Sequence, residues 1–457
     1  MRDNCDVLVV GAGISGLTAA YRLSRVGLSV RVIEAAARAG GVIATDRIGD
    51  TLCERGPNSM AETPLVNALV SDLGITAERV EASAAASKRF VVRAGRLVPL
   101  PVTPGALLVS PLFSARAKLG LLKEPFVARA SADTDESVAQ FVARRLGREV
   151  LDYAIEPFVA GIYAGDPEEL SVRAAFPRLH ALEQREGSLM RGQLLASRKA
   201  GARTSPKSFS FRNGMQALPD ALARAIGAVR TDTRVMRIGR ADGLLSIDGE
   251  RAGDAYQAAA RFIVLAIPAR PAAALVRDFA PDAARALEEI PYAPVASVAL
   301  AYPRSDVAHP LDGFGFLAPR VENRQVLGSL FSSSMFEGRA PRDAVLLTTF
   351  LGGRRQPAMA AQSDDELVGA VLKELTALVG ASGTPQIGSI TRWPEAIPQY
   401  TLGHLDRMRR AKAAEAALPG LFLCSSYGGG VSVGDCIRSA EETAQAVEAL
   451  AGSTIRR

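Results

Sequence analysis

Cysteine and histidine are scarce in this sequence. Its 457 residues include four cysteines, Cys5, Cys53, Cys424 and Cys436, and three histidines, His180, His309 and His404. No two cysteines have the CxxC spacing and no histidine stands beside one, which argues against a zinc site or a disulfide framework in so long a chain. The thiols read as buried and reduced, and no metal is expected. Aromatic residues make up 5% of the chain, with a single tryptophan, Trp393. A membrane-spanning helix needs roughly 20 consecutive apolar residues. The best stretch, Leu97 to Phe113, is broken by Pro99, Pro101, Pro104 and Pro111. A strand begins at Asp6 with no basic and then apolar leader before it, so the chain reads as cytoplasmic.

Acid is missing from two stretches. Ala82 to Lys123 holds none against seven bases (Lys88, Arg89, Arg93, Arg96, Arg116, Lys118, Lys123), and Gly187 to Pro219 none against six (Arg191, Arg198, Lys199, Arg203, Lys207, Arg212). The formal net charge of +6 therefore sits in these two places, and the rest of the chain is net negative. Bases set among apolar residues suit an anionic lipid surface or an anionic substrate, with a solvated Arg-rich surface as the plain alternative. Nucleic acid would require a binding fold that the sequence does not show. With 48% hydrophobic and 22% charged residues the composition is that of a packed globular protein, and the length exceeds what one core supports, so two or three domains are expected.

What is present begins at Cys5 to Val10, a valine-rich run suited to a strand buried on both faces. It enters Gly11-Ala12-Gly13-Ile14-Ser15-Gly16, a helix with apolar residues at Leu17, Ala20, Tyr21, Leu23 and Val26 that ends at Gly27, and a second strand, Leu28 to Ile33, ending on Glu34. In such a βαβ unit the first glycine permits the tight turn, the second lets backbone approach a pyrophosphate, and the third lets helix and strand pack closely. The helix N-terminal amides face the phosphate charge. Glu34 stands at the spacing where an acid accepts from the adenosine ribose hydroxyls, and its charge disfavours NADP. The glycines alone could be only a turn; strand, glycines, helix, strand and acid in order point to a dinucleotide.

The segment after Glu34 favours FAD over NAD. In place of another crossover helix come Arg38-Ala39-Gly40-Gly41, an extended stretch, and Arg55-Gly56-Pro57-Asn58-Ser59, suited to a loop around a pyrophosphate and flavin ribose. Val229 to Ile238, Leu244 to Gly249 and Arg261 to Ile267 read as strands, the last returning to the first sheet. Leu421 to Ser425 is a further strand, followed by Tyr427-Gly428-Gly429-Gly430-Val431 and a helix from about Val433 with apolar face Ile437, Ala440, Ala444, Val447 and Leu450. A second Gly-rich turn at a helix N-terminus offers amides to the negative charge that reduced flavin develops, and Asp435 there serves equally as a capping residue.

With these residues in place the sequence resembles the protoporphyrinogen oxidase family, including its coproporphyrinogen-oxidising members, within the amine-oxidase-like flavoproteins. The wider group is matched by Gly11 to Gly16, Glu34 and Arg38 to Gly41. The family is matched by Gly56 to Ser59, Lys88-Arg89-Phe90-Val91, Glu156-Pro157-Phe158, Gly161 to Pro167, Ser332 to Phe336, Arg392-Trp393-Pro394, Ile397 to Tyr400 and Gly434-Asp435-Cys436-Ile437, from residue 7 to about 450. Val42 departs from an arginine that relatives often carry, and Ser425-Ser426 from an asparagine.

The resemblance implies an α/β (α+β) fold: a Rossmann-like FAD-binding domain of the glutathione-reductase/amine-oxidase type (1–75, 206–272, 391–457), a mixed-sheet substrate domain (76–87, 273–390) and a helical membrane-docking domain (88–205). It implies FAD contacts at Gly11, Ala12, Gly13, Ile14, Ser15, Gly16, Glu34, Ala35, Arg38, Gly40, Gly41, Gly56, Pro57, Asn58, Ser59, Val235, Trp393, Gly430, Val431 and Val433. Substrate contacts follow at Arg89, which would hold a propionate, at Gly161, at Leu317 and Phe336, and near Asn58. Each also has a plainer reading, as surface arginine, loop glycine, core residue or turn. The implied activity is stepwise oxidation of protoporphyrinogen IX to protoporphyrin IX, hydride passing to flavin N5 and electrons to dioxygen with hydrogen peroxide formed, and no side-chain base is named. Coproporphyrinogen III is the nearest alternative substrate; an amine oxidase and a non-catalytic flavin subunit are more distant ones. Partners implied are the porphyrinogen, dioxygen, an anionic membrane surface on the inner face of the cell membrane, a second copy as homodimer, and the chelatase next in the pathway.

Overall fold

The computed structural model describes residues 3–192, 195 and 207–455. The first sheet is built as the early glycines require. The strands Val229–Arg230, Val30–Ile33, Asp3–Val10 and Asp254–Leu265 lie parallel in that order, with Leu421–Leu423 parallel to the end of Asp254–Leu265. Leu244–Arg251 and Thr233–Ala241 continue it as an antiparallel meander. Side chains of the first strand alternate between two cores: Val7 and Val9 pack under the helices Ile14–Arg25 and Val433–Ile455, and Leu8 and Val10 pack on the opposite face. On the C-terminal helix Ile437, Ala440, Ala444 and Val447 are buried as expected, but Leu450 is exposed and Ala451 takes the inward position, which the helical period assigns to it.

The second sheet runs Gln386–Pro398, Tyr292–Pro303, Ala344–Gly352, Val326–Phe331, Gly315–Leu317, Phe90–Arg93, Arg96–Pro99. It packs against the helix Asp364–Val379, whose start is fixed by a capping box of Ser363 and Glu366. Residues 90–99 thus form an edge hairpin of this sheet, although 88 was expected to open the helical part. Ala94 and Gly95 both have φ near +50 to +70°, the two-residue turn whose twist matches paired strands, and Phe316 pairs with Phe90 across the sheet. Gln386–Pro398 likewise runs unbroken through the boundary expected at 391.

Residues 102–192 supply a helical layer around Phe141, Val159, Tyr163 and Leu170. Of the second base-rich stretch, Arg198, Lys199 and Arg203 lie outside the described residues. Two contacts hold the separate hairpin Thr45–Ile48/Thr51–Glu54 against the second sheet and its connections. Trp393 Nε1 donates to the Arg55 carbonyl at 2.8 Å, and buried Arg339 meets buried Glu54 at 3.2 Å. Burial pushes the Glu54 carboxyl up and the Arg339 guanidinium down, so each depends on the other.

Candidate flavin and substrate site

The Gly11–Gly16 turn has the geometry its sequence implies. Gly11 sits at φ +105°, and a Cβ there would lie 2.4 Å from the Ala266 carbonyl oxygen. A Cβ on Gly16 would lie 1.9 Å from the Gly11 carbonyl oxygen, so the helix approaches the strand as closely as backbone allows. At Gly13 an added Cβ would meet no atom within 4 Å. The space over that residue is therefore open, where a pyrophosphate would approach the amides of the helix Ile14–Arg25.

Glu34 leaves the neighbouring strand and reaches this turn. Its carboxylate accepts from the Ala12 amide at 2.7 Å and from the Ala36 amide at 2.8 Å. Each oxygen keeps a lone pair for a ribose hydroxyl. Ala35 beside it is exposed, and Val235 is half-buried on the strand Thr233–Ala241 near Ile33. Open space over Gly13, helix N-terminal amides and a ribose-competent acid together fit the adenine dinucleotide half of FAD.

The loop after Glu34 folds back onto the same turn. The Gly40 amide donates to the Ala12 carbonyl at 2.7 Å, and Gly41 passes within van der Waals reach of Gly13. Arg38 shapes this loop, donating to the carbonyls of Ala39, Gly41 and Ile43 and to Gln216. Burial lowers the Arg38 pKa somewhat, with Arg55 adding repulsion. Gly56 abuts the Val42 carbonyl, where a Cβ would lie 2.1 Å from oxygen, and Asn58 closes a short turn by donating to the Gly56 carbonyl at 3.1 Å. Gly56, Pro57, Asn58 and Ser59 are all half-buried. The turn at Gly11–Gly16, the loop Arg38–Gly41 and the segment Gly56–Ser59 are thus brought together, with Trp393 hydrogen-bonded to the Arg55 carbonyl.

The C-terminal Gly-rich turn comes to the same end of the first sheet. Val433 packs in one cluster with Ile14, and the Cys436 thiol meets the Ser15 side chain. Burial pushes the Cys424 and Cys436 thiols up to about 11, so both stay protonated. Gly430 has φ +110°, and Val431 packs beside Tyr163, Tyr400 and Ile397. Tyr163 ends the helix Glu156–Tyr163 that carries Gly161, so the flavin turn and the candidate substrate helix share one apolar cluster.

Gly161 faces Leu317, whose methyl would lie 3.1 Å from an added Cβ. Leu317 pairs with Val91, which places Arg89 at the same edge. Arg89 is exposed and its guanidinium lies 5.1 Å from the Phe314 ring centre. Phe336 is placed otherwise than as a ring-flanking wall: it is 2% exposed, packed with Ala86 and Met335 and covered by Arg339. The aromatic of that cluster that reaches Arg89 is Phe314, which sequence reasoning missed; alternation in Gly313-Phe314-Gly315-Phe316 marks a two-faced strand but not which ring turns outward. The three histidines stay apart: His404 is bonded to the Tyr427 carbonyl, His309 is packed on Phe90, and His180 lies in the helical layer.

Residues 14–448 match the family model described as flavin containing amine oxidoreductase. The chain is 36% identical to a chloroplastic protoporphyrinogen oxidase of Oryza sativa subsp. japonica, over 98% of this chain and 88% of that one. It is 27% identical to the coproporphyrinogen III oxidase of Bacillus subtilis, over 94% and 95%. A crystal structure from Exiguobacterium sp. 255-15, provisionally named a protoporphyrinogen oxidase, superposes with TM-score 0.83 at 26% identity, covering 98% of this chain and 99% of that one. The chain is an FAD-dependent oxidoreductase of the flavin containing amine oxidoreductase family and, within it, belongs to the protoporphyrinogen oxidases.

Proposed function

We propose that this enzyme oxidises protoporphyrinogen IX to protoporphyrin IX. The observation that carries the reading is the helix Glu156–Tyr163, which shares an apolar cluster with Val431 of the flavin-type turn through Tyr163 and sets Gly161 against Leu317, with the Arg89 guanidinium over the Phe314 ring at the same edge. FAD, when bound, supplies the hydride acceptor and passes electrons on to dioxygen. The chain's own work is position: Leu317 and Gly161 offer a flat apolar contact for the tetrapyrrole, and the geometry of approach supplies much of the acceleration. Arg89 has no carboxylate partner among the described residues, whereas its neighbours Lys88 and Arg93 are paired with Asp312 and Glu149. A guanidinium so left can take a propionate through two parallel hydrogen bonds.

The Bacillus subtilis relative favours coproporphyrinogen III as second reading. Its substrate has more propionates to neutralise, and Lys88 and Arg93 are already engaged. The kcat/KM for protoporphyrinogen IX should exceed that for coproporphyrinogen III. In Arg89→Leu, KM for protoporphyrinogen IX should rise about tenfold with kcat little changed, since a remote anchor binds substrate and transition state alike. A higher kcat/KM for coproporphyrinogen III would transfer the proposal to that substrate.

Membrane docking belongs to the same proposal. No helix among the described residues is long and apolar enough to cross a membrane. Residues 102–126 nevertheless expose Val102, Leu108, Val109 (82%), Leu119, Leu122 and Phe126 (83%), with Arg116 and Lys123 exposed between them. Apolar side chains rimmed by bases suit the headgroup region of an anionic bilayer. Flotation with anionic liposomes should recover the protein at low salt, less at high salt, and little after Val109→Glu with Phe126→Glu. Recovery indifferent to lipid, salt and both substitutions would remove the docking surface.

A further inference from the structure

The turn Ser426–Gly430 is poor at fixing itself. It contains three consecutive glycines, and Gly430 adopts φ +110°, which L residues rarely take. Its own helix contributes two anchors, Arg438 donating to the Gly429 carbonyl at 3.0 Å and the Cys436 thiol donating to the Gly430 carbonyl at 3.7 Å. Further anchors come from the segment that follows the strand Gln386–Pro398, Tyr400 in its loop and His404 at the start of the helix His404–Ala411. The Tyr400 hydroxyl accepts from the Gly430 amide at 2.9 Å and donates to the Ser426 carbonyl, so one oxygen spans both ends of the turn. His404 bonds through Nε2 to the Tyr427 carbonyl at 2.9 Å. A carbonyl can only accept, so the ring carries its proton on Nε2, and burial, which pushes His404 down to about 4, keeps it neutral.

The two rings lie flat on each other, 4.2 Å apart and 13° from parallel, and both are buried. Their base is fixed too: the Tyr400 carbonyl accepts from the Ser171 amide at 2.8 Å, and the Tyr163 ring meets Tyr400 edge-on at 5.8 Å. Tyr163 is in turn held by its hydroxyl, which donates to the Ala175 carbonyl at 3.0 Å.

We propose that Tyr400 and His404 are positioning residues for the flavin, clamping the Ser426–Gly430 turn so that Gly430, Val431 and the start of the helix at Val433 keep one fixed relation to it. The proposal rests on the assignment of that turn to the flavin. Removing the Tyr400 hydroxyl leaves two partly buried backbone groups without their partner, and the turn regains the freedom its glycines allow.

The test uses purified holoenzyme and reads flavin release and midpoint potential. Tyr400→Phe keeps the stack and loses the hydroxyl; His404→Phe keeps the stack and loses the bond to Tyr427. Both should release FAD about tenfold faster. If that tenfold loss falls on reduced flavin alone, the potential drops by about 30 mV for a two-electron couple. Gly430→Ala, whose Cβ would lie 2.6 Å from Asp435, is the control on the turn itself. If Gly430→Ala shifts the flavin and both ring variants leave release and potential unchanged, whatever their melting temperature, the proposal is overturned while the site assignment stands. If Gly430→Ala also leaves both unchanged, the turn does not touch the flavin and both fall.

Discussion

Gly16→Ala is expected to fold and to purify almost free of FAD. The added Cβ would sit 1.9 Å from the Gly11 carbonyl oxygen and 3.0 Å from Ala266 Cβ, and backbone offers no flexible end to yield. The helix Ile14–Arg25 must move outward, carrying its N-terminal amides away from the pyrophosphate position. Overpacking of this kind costs about 1–3 kcal/mol of stability. The cost in FAD affinity should be larger, about a hundredfold, the scale on which a ~1 Å misplacement of a positioning group is felt. Gly13→Ala separates the two effects. Its Cβ meets no protein atom, so stability should be unchanged while FAD is lost to the methyl group itself. The ratio of flavin to protein absorbance and a thermal melt read both variants; full FAD content in either would refute this picture of the turn.

Arg145→Leu should destabilise the helical layer by about 3–5 kcal/mol, because it takes the cation from buried Glu124 and leaves buried Glu183 with Arg144 alone. Arg145 is wholly buried between Glu124, at 3.1 Å, and Glu183, to which its Nε donates at 2.7 Å. Glu124 also accepts from the Leu189 and Met190 amides and from the Ser188 hydroxyl, and Arg144 shares Glu183. Burial alone would raise the Glu183 carboxyl; hydrogen bonds from Arg144 and Arg145 overcome that and leave it below the ordinary range. A lowered folded pKa means that this stabilisation is present above the unfolded carboxylate pKa and is lost as pH falls through the folded value. The variant should therefore melt lower at neutral pH and lose less than the parent on acidification. Equal melting at pH 7 would show the network to be energetically idle. Because Glu124 begins the short turn that ends at exposed Phe126, loosening it should also blunt liposome flotation.

Local chemistry was legible in the sequence; long-range pairing was not. The roles of Gly11, Gly13 and Gly16 follow from spacing within one strand-turn-helix, and Glu34 from the length of one βαβ unit. The return of residues 261–265 to the first strand was readable because a run buried on both faces needs neighbours on both sides. The hairpin 90–99 was read into the helical part because its partner, Gly315–Leu317, lies far along the chain and local pattern says nothing of it. Phe336 and Phe314 illustrate the same limit: both sit in one apolar cluster, and only the packed structure decides which ring is sealed beneath Arg339 and which meets Arg89. The buried ions were invisible for a further reason. Arg145 stands in an Arg-Arg pair that reads as solvated surface, and its acids come from two other helical turns. Tyr400 was visible within Ile397 to Tyr400, but its bond to Gly430 was not.

The central claim, that a porphyrinogen meets the flavin between Gly430 and the Gly161–Leu317 wall, is tested most directly by anaerobic titration. Stoichiometric protoporphyrinogen IX added to holoenzyme without oxygen should bleach the absorbance of oxidised flavin, and admitting oxygen should restore it. Oxidised flavin that persists with protoporphyrinogen IX and with coproporphyrinogen III alike would contradict the account.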